Sequence, residues 1–270
     1  MNDIPGPSRL ARAAALGFDA TRLGHIVHAR RALPGAGYTE VLAWVHRALR
    51  PATYVEIGVF NGDSLVAAQP GTRIIGIDPA PTPNQPLPAG TRLFTMTSDE
   101  FFAGRDLPTE LGAGHFDLAF IDGLHLFEQA LLDFVHLERF AGPRSVIVLH
   151  DCLPLDSDTS QRVRTTDFYS GDVWKLTLCL RQERPDLTMT IIPTPPTGLC
   201  LVSGLDARST ALDCAYEACV ARYVGLTFED YRASANKMPA HIVNREAVVM
   251  AHVTALREGN GQPRLGAGGQ

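Results

Sequence analysis

The feature that most constrains the fold is a series of short apolar runs, each leading into a glycine or an acid. Four of these runs, separated by stretches with helical spacing, lead into Gly58, Asp78, Asp122 and Asp151. Apolar runs that alternate with helices predict parallel strands, buried on both faces and joined by crossover helices. Because unpaired buried charge is costly, acids at successive strand ends indicate one shared site at one edge of the sheet.

Three weaker runs complete the predicted sheet. Residues 91–96 predict a third strand, and Leu187–Ile192 and Leu199–Ser203 predict two strands joined by a six-residue segment, 193–198. That joint is too short for a crossover helix, so the last two strands should pair antiparallel. We therefore expect an α/β fold with a Rossmann-like, doubly wound sheet of seven strands. The sheet is mostly parallel, ends in an antiparallel hairpin and has helices at both termini.

The same patterns divide the chain into segments. We expect an N-terminal helical cap over residues 1–50 and the core domain over 51–205, with a substrate-covering loop at 153–175. C-terminal helices should occupy 206–258, and the Gly-rich residues 259–270 should form a disordered tail. The terminal helices would suit a homodimer, and the sequence leaves that possibility open.

Composition excludes several classes of protein. Net charge is −5 and no basic stripe is present, which argues against nucleic acid as a partner. No apolar stretch reaches the roughly 18 residues of a membrane span, and the N-terminus lacks the pattern of a signal peptide. The five cysteines are odd in number and have no CxxC spacing, which argues against a disulfide framework. These features predict a cytoplasmic protein.

The turn Glu56-Ile57-Gly58-Val59-Phe60-Asn61-Gly62 is the first candidate binding element. Its glycines would let the backbone approach a ligand closely. It lacks both the Gly-x-Gly-x-x-Gly of dinucleotide enzymes and the Gly-Lys-Ser/Thr of phosphate loops, so it suits an adenosyl ligand without pyrophosphate. Taken alone, the turn fits a tight strand-to-helix connection equally well. Asp78, placed to bind ribose hydroxyls at the end of the second run, favours the ligand.

Four segments resemble a known family. Tyr54–Ser64 and Ile74–Pro79 look like the first two motifs of class I S-adenosylmethionine-dependent methyltransferases. Phe120–His125 and Val146–Cys152 resemble the small-molecule O-methyltransferase branch, which includes macrocin O-methyltransferase, cephalosporin-biosynthesis and catechol-type enzymes. The similarity extends over about residues 40–205.

The resemblance implies a set of residues that bind S-adenosylmethionine. By position, the methionine moiety would contact Glu56, Gly58 and the rest of their turn, which includes Asn61 and Gly62, and its carboxylate would contact Ser64. The ribose would contact Asp78, and the adenine would contact Ser98 and Asp99. The sulfonium would lie beside Asp122.

The catalytic candidates are Asp122, His125 and Asp151. Metal-dependent members of the branch carry acids at the positions of Asp122 and Asp151, which would bind Mg²⁺ or another divalent cation. Catechol-type enzymes would have Asn where Cys152 stands, and other members have a second acid where His150 stands. The metal is therefore either absent or softer, with His150 as a third ligand. His125 is either a general base or a helix-capping residue.

The loop at 153–175 is expected to cover the acceptor, with Tyr169 and Trp174 as contacts. The alternative is a loop packed on its own aromatic residues, with Trp174 anchoring the following helix. Together these features predict methyl transfer to a hydroxyl of a small metabolite. Two alternatives remain: a non-catalytic module that binds S-adenosylmethionine or S-adenosylhomocysteine, and another metal-dependent activity on the same fold.

Overall fold

A single eight-stranded sheet forms the centre of the computed structural model, which describes residues 20–258. The predicted tail at 259–270 and the first 19 residues of the predicted helical cap lie outside the described residues. In chain order the strands are β1 (Thr53–Ile57), β2 (Arg73–Ile77), β3 (Thr91–Phe94), β4 (Phe116–Ile121), β5 (Ala141–His150), β6 (Thr188–Ile192), β7 (Leu199–Ser203) and β8 (Ala240–His241).

The strands lie in the order β3-β2-β1-β4-β5-β7-β6-β8. Strands β1 to β5 pair in parallel, β7 is antiparallel to both β5 and β6, and β8 pairs in parallel with β6. The predicted α/β sheet with its antiparallel hairpin is confirmed. The predicted number of seven strands is wrong by one, because β8 contains only two residues and so leaves no periodic signal in the sequence.

Nine described helices surround the sheet. They are α1 (Ala20–Ala32), α2 (Tyr38–Leu49), α3 (Ser98–Gly104), α4 (Leu107–Leu111), α5 (Phe127–Glu138), α6 (Trp174–Glu183), α7 (Ala211–Tyr223), α8 (Phe228–Ala233) and α9 (Glu246–Arg257). Between β1 and β2, where the alternating pattern predicts a crossover helix, only a short 3₁₀ turn, Leu65–Ala67, forms. Pro70 and Gly71 follow at once and leave no room for a full helix.

Two apolar clusters form the core, one on each face of the sheet. One contains Phe127, Phe134 and Trp174 with the inward side chains of the neighbouring strands. The other joins Leu42 of α2 to Val253 of α9, and these two helices pack directly on each other. The apolar faces of these terminal helices are therefore used within this chain. Among the described residues, the helices are all too short or too polar to span a bilayer.

The strand order places a topological switch point between β1 and β4. From β1 the chain continues to β2 on one side, whereas β4 lies on the other side. In open parallel sheets, the crevice outside the carboxyl ends of the strands at such a point is the usual ligand site. Gly58, Asp78, Asp122 and Asp151 all follow strands that end at this edge.

Candidate functional site

Gly58 closes the first turn against the end of β4. Its φ is +88°, and a Cβ there would lie 2.0 Å from the carbonyl oxygen of Asp122. The Gly58 N–H donates to the Ile77 carbonyl at 2.9 Å, and the Asp122 N–H donates to the Ile57 carbonyl at 2.8 Å. Only glycine can satisfy both the backbone conformation and the close approach.

Glu56 lies beneath this turn and is fully buried. It accepts hydrogen bonds from the Tyr54 hydroxyl at 2.5 Å and from the Ser64 hydroxyl. Burial raises the pKa of Glu56 to about 8, although both hydrogen bonds act in the opposite direction. Glu56 does not line the cleft at the sheet edge, while Ser64 does. Its place in the structure is that of a buried support for Ser64.

Asp78 organises the outer part of the turn. Its carboxylate accepts the backbone N–H of Phe60 at 2.7 Å and that of Ala80 at 2.7 Å. Phe60 has a left-handed φ of +44° and is largely exposed at the rim of the cleft. Asn61 lines the cleft beside it, whereas Gly62 turns towards the side chain of Leu87.

Ser98 and Asp99 begin α3 and line the same cleft. The Ser98 hydroxyl donates to Asp133 at 2.6 Å, and Gln129 donates to Asp99 at 3.0 Å. Burial raises the pKa of Asp133 to about 6. The predicted pair is therefore present at the cleft, although the Ser98 hydroxyl already has a partner.

The residues that follow β4 and β5 form one interlocked cluster. His150 Nδ1 lies 3.0 Å from Asp122 Oδ1, and His125 Nδ1 lies 2.7 Å from Asp151 Oδ2. His125 Nε2 lies 3.7 Å from Asp122 Oδ1, and Thr197 donates to Asp151 Oδ1 at 2.5 Å. The structure thus brings together all four ionisable residues predicted for the chemical end of the site.

Two members of this cluster have unusual backbone conformations. The φ angles of His125 and Asp151 are +61° and +58°, in the left-handed region that residues other than glycine seldom adopt. The His125 carbonyl accepts the N–H of Asp172 at 3.2 Å, and a Cβ on Gly171 would lie 1.9 Å from that oxygen. Such conformations persist where surrounding contacts impose them, and they are concentrated at functional sites.

The charges of the cluster are balanced among its members. Burial lowers the pKa of His125, but the charges of Asp151 and Asp122 outweigh it and raise that pKa to about 9. The pKa of His150 is likewise raised, because Asp122 and Asp151 outweigh its burial. Burial raises the pKa of Asp151, but the two imidazoles prevail and lower it. His125 is therefore cationic near neutral pH when no other cation is bound.

A possible metal site lies within this cluster. One ligand atom each from Asp122, His125 and Asp151 lies within 4.8 Å of the others. The sequence suggested His150 as the third ligand, but its ring nitrogens face Asp122 and Thr197. His125 Nδ1 is buried and, among the described residues, makes no hydrogen bond of good geometry. Two carboxylates and an imidazole fit Mn²⁺ or Zn²⁺ better than Mg²⁺, which prefers oxygen ligands.

The loop at 153–175 brings one predicted aromatic residue to the cleft and buries the other. Tyr169 stacks on His125 with ring centres 5.7 Å apart, and its hydroxyl donates to the Arg162 carbonyl at 3.0 Å. Trp174 is 1% exposed, begins α6 and packs against Tyr231. Trp174 is therefore a core residue, and its predicted contact with a substrate is withdrawn.

The sequence did not indicate several residues of the acceptor side. The Tyr38 ring lies 4.5 Å from that of His150, and Arg22, Ile26 and Thr197 also line the cleft. These residues come from α1, from the start of α2 and from the joint of the hairpin, far apart in sequence. No local motif marks them. The complete cleft has a volume of about 1250 Å³.

Part of the chain is similar to a known protein family. Residues 55–152, a little over a third of the chain, match a family model described as a methyltransferase domain. No curated protein sequence matches the chain.

Several solved structures are similar to the chain at low sequence identity. Cofactor-bound Rv0187 from MTB is 19% identical, with a TM-score of 0.47 over 76% of this chain and 99% of that one. The O-methyltransferase TomG from Streptomyces achromogenes, involved in tomaymycin synthesis and bound to SAM, is 17% identical, with a TM-score of 0.46 over 74% of this chain and 99% of TomG. The O-methyltransferase from Bacillus cereus in complex with SAH is 14% identical, with a TM-score of 0.45 over 74% and 91%.

These structural similarities are too distant to carry a conclusion about substrate or mechanism. The sequence match covers β1 to β5 and includes both the glycine turn and the four-residue cluster. Residues 55–152 are therefore similar to a methyltransferase domain.

Proposed function

We propose that the chain transfers the methyl group of S-adenosylmethionine to a hydroxyl of a small metabolite. The observation that carries this proposal is the cluster of Asp122, His125, His150 and Asp151 beside the Gly58 turn, at the switch point of the sheet. A module that only binds an adenosyl compound has no need for two paired histidines and two acids at this position. Methyl transfer to oxygen does need groups that align the hydroxyl and manage its proton.

The cofactor would lie along the cleft from β4 to β2. In this arrangement Gly58, Asn61 and Ser64 border the methionine moiety, and Asp78 accepts hydrogen bonds from the ribose. Ser98 and Asp99 would border the adenine, and Asp122 would lie near the sulfonium. These residues support the assignment because each, through its backbone or side chain, lines the same continuous cleft.

A divalent cation would be held by Asp122, His125 and Asp151. When bound, it would acidify a coordinated hydroxyl of the acceptor. His150 and Thr197 support this set, because they hold the carboxylates of Asp122 and Asp151 from behind. Without a cation, His125 would be protonated near neutral pH and could receive the acceptor proton only after losing its own, as it does when the pH rises towards 9. One ring nitrogen of His125 cannot both bind the cation and receive the acceptor proton, and its Nδ1 already faces Asp151.

Binding of the cofactor is tested by titration calorimetry and thermal shift with S-adenosylmethionine, S-adenosylhomocysteine and NAD. We expect both adenosyl compounds, and not NAD, to stabilise the protein, and Asp78→Asn to weaken their binding about tenfold or more. Asp158→Asn, which changes an exposed acid outside the cleft, is the control. The proposal fails if neither adenosyl compound binds. Binding without a methylated product from any hydroxylated acceptor would favour the non-catalytic module.

The cation is tested separately by equilibrium binding of Mn²⁺ and Zn²⁺, measured by metal analysis after dialysis. We expect one ion per chain, lost in His125→Ala and Asp151→Asn and kept in the exposed variant His28→Ala. Activity that persists in a strong chelator and rises as the pH approaches 9 would assign His125 as the base instead of a ligand.

A further inference from the structure

The acceptor half of the cleft is lined by more cationic than anionic side chains. Its walls come from α1, the start of α2 and the loop at 153–175, and they include Arg22, Arg162 and Arg164. The whole cleft, about 1250 Å³, exceeds the roughly 300–1,000 Å³ of a pocket for one small ligand. An acceptor therefore has room beside the proposed cofactor and within reach of these arginines.

The arginines differ in how their charge is balanced. Arg162 is neutralised by Glu128 at 2.5 Å and by the buried Asp172 at 2.8 Å. In the described part of the chain, Arg22 and Arg164 have no carboxylate within 4.0 Å. Asp167 also lines the cleft, but its carboxylate makes no ion pair with either arginine.

Arg164 is held in place although its charge is unpaired. Its guanidinium donates to the carbonyls of Asp167 at 3.0 Å and Thr166 at 3.3 Å. Its Cζ also lies 5.7 Å from the centre of the Tyr169 ring. These contacts use neutral acceptors and a π face, so they fix the cation without cancelling its charge.

Tyr169 sets the spacing between this cation and the catalytic cluster. The ring centre of His125 also lies 5.7 Å from that of Tyr169. The His125 ring centre and the Arg164 Cζ therefore cannot be further apart than twice that distance. A hydroxylated aromatic acid or a sugar acid can span this separation. Its hydroxyl would then face Asp122 and His125 while its anionic group faces Arg164.

We propose that the acceptor carries an anionic group, a carboxylate or a phosphate, bound between Arg164 and Arg22. The proposal rests on the proposed methyl-transfer site and adds the chemical class of its substrate. The planar donors of arginine match the oxygens of either anion, so both belong to the same class of ligand.

The test uses matched pairs of acceptors that differ in charge. One pair is 3,4-dihydroxybenzoate and its methyl ester, and the other is ribose 5-phosphate and ribose. Binding of each compound to the full chain saturated with S-adenosylhomocysteine is measured by calorimetry. We expect the anion to bind about tenfold or more tightly than its neutral partner in at least one pair, which also distinguishes carboxylate from phosphate.

The arginines are then replaced singly and together. Arg164→Gln and Arg22→Gln should each reduce the preference for the anion, and the double variant should abolish it. Arg144→Gln, an exposed arginine outside the cleft, should leave it unchanged.

The inference is overturned if no anion binds more tightly than its neutral partner, which includes the case in which none of the four compounds binds. It is also overturned if the preference survives in the double variant. Binding of S-adenosylhomocysteine in the same titrations reports on the proposed function independently.

Discussion

Gly58 and Gly71 have nearly the same backbone conformation in very different surroundings. Their φ angles are +88° and +89°, but a Cβ on Gly71 would meet nothing within 4 Å, while one on Gly58 would clash with the Asp122 carbonyl. Gly71→Ala should therefore cost only the conformational penalty, on the order of 1 kcal/mol of unfolding free energy. Gly58→Ala should cost several times more and weaken binding of S-adenosylhomocysteine.

Urea unfolding and calorimetry of the two variants would separate these effects. Similar losses of stability in both would mean that the junction of β1 and β4 relaxes without cost, so that Gly58 is needed for its φ alone.

His46 makes the fold sensitive to acid. It is fully buried on α2, its ring meets the edge of Tyr54 at 4.6 Å, and burial lowers its pKa from 6.5 to about 4. The unfolded chain therefore binds a proton that the folded chain excludes. As far as His46 is concerned, the chain therefore keeps its full stability above pH 6.5. As the pH falls from 6.5 towards 4, protonation of His46 in the unfolded chain lowers the unfolding free energy by about 3 kcal/mol.

Urea unfolding between pH 7 and pH 4 checks this prediction. His46→Leu should flatten the decline in stability, whereas the exposed variant His28→Leu should follow the parent chain. An unchanged slope in His46→Leu would show that other groups cause the acid sensitivity.

At the scale of elements, Asp172 joins the loop at 153–175 to α5 and α6. Its carboxylate accepts the Phe127 N–H at 2.7 Å and pairs with Lys175 at 2.8 Å. The side chains of Asp172 and Lys175 are both almost completely buried. Asp172→Ala should cost about 3–5 kcal/mol, because it leaves a buried lysine charge unpaired.

The double variant Asp172→Ala with Lys175→Met should recover much of that loss, since the isolated charge is removed as well. Chemical denaturation of both single variants and the double variant measures the coupling. Strict additivity of the two single losses would refute the paired role of these side chains.

The elements predicted best from the sequence were those with a marked end. Strands β1, β2, β4 and β5 combine apolar runs with a glycine or an acid at the edge where ligands bind, so both the strands and the gathering of Asp122 and Asp151 were predictable. Strand β8 was missed because it is short and carries a weak pattern. Trp174 was misassigned because an aromatic residue in a loop looks the same in sequence whether it turns to a cleft or to the core.

The residues of the acceptor side could not be predicted from the sequence, for a different physical reason. Arg22, Tyr38 and Thr197 line the cleft only after the chain has folded, and each is surrounded by ordinary sequence. Their positions depend on how α1 and α2 pack and on where the β6-β7 joint falls. Periodicity within one segment contains no information about contacts of that kind.

At the scale of the whole molecule, the terminal segments complete one layer of the fold. Leu42 of α2 and Val253 of α9 belong to the same apolar cluster as Tyr54, Leu118 and other strand residues. The boundary suggested by the sequence, with a core domain over 51–205, would therefore leave one face of the sheet exposed to water. We expect a chain cut to these residues to lack cooperative unfolding and fixed side-chain packing, as judged by near-ultraviolet circular dichroism.

A point substitution tests the same dependence without removing any part of the chain. Leu42 is fully buried between α2 and the sheet, so Leu42→Ala should lower the unfolding free energy by about 2–5 kcal/mol. Leu124→Ala, at a residue that is 63% exposed, is the matched control and should change the unfolding free energy little. If Leu42→Ala were equally mild, or if residues 51–205 unfolded cooperatively by themselves, the helix α2 would be dispensable for stability, and the core domain would have the bounds that the sequence predicts.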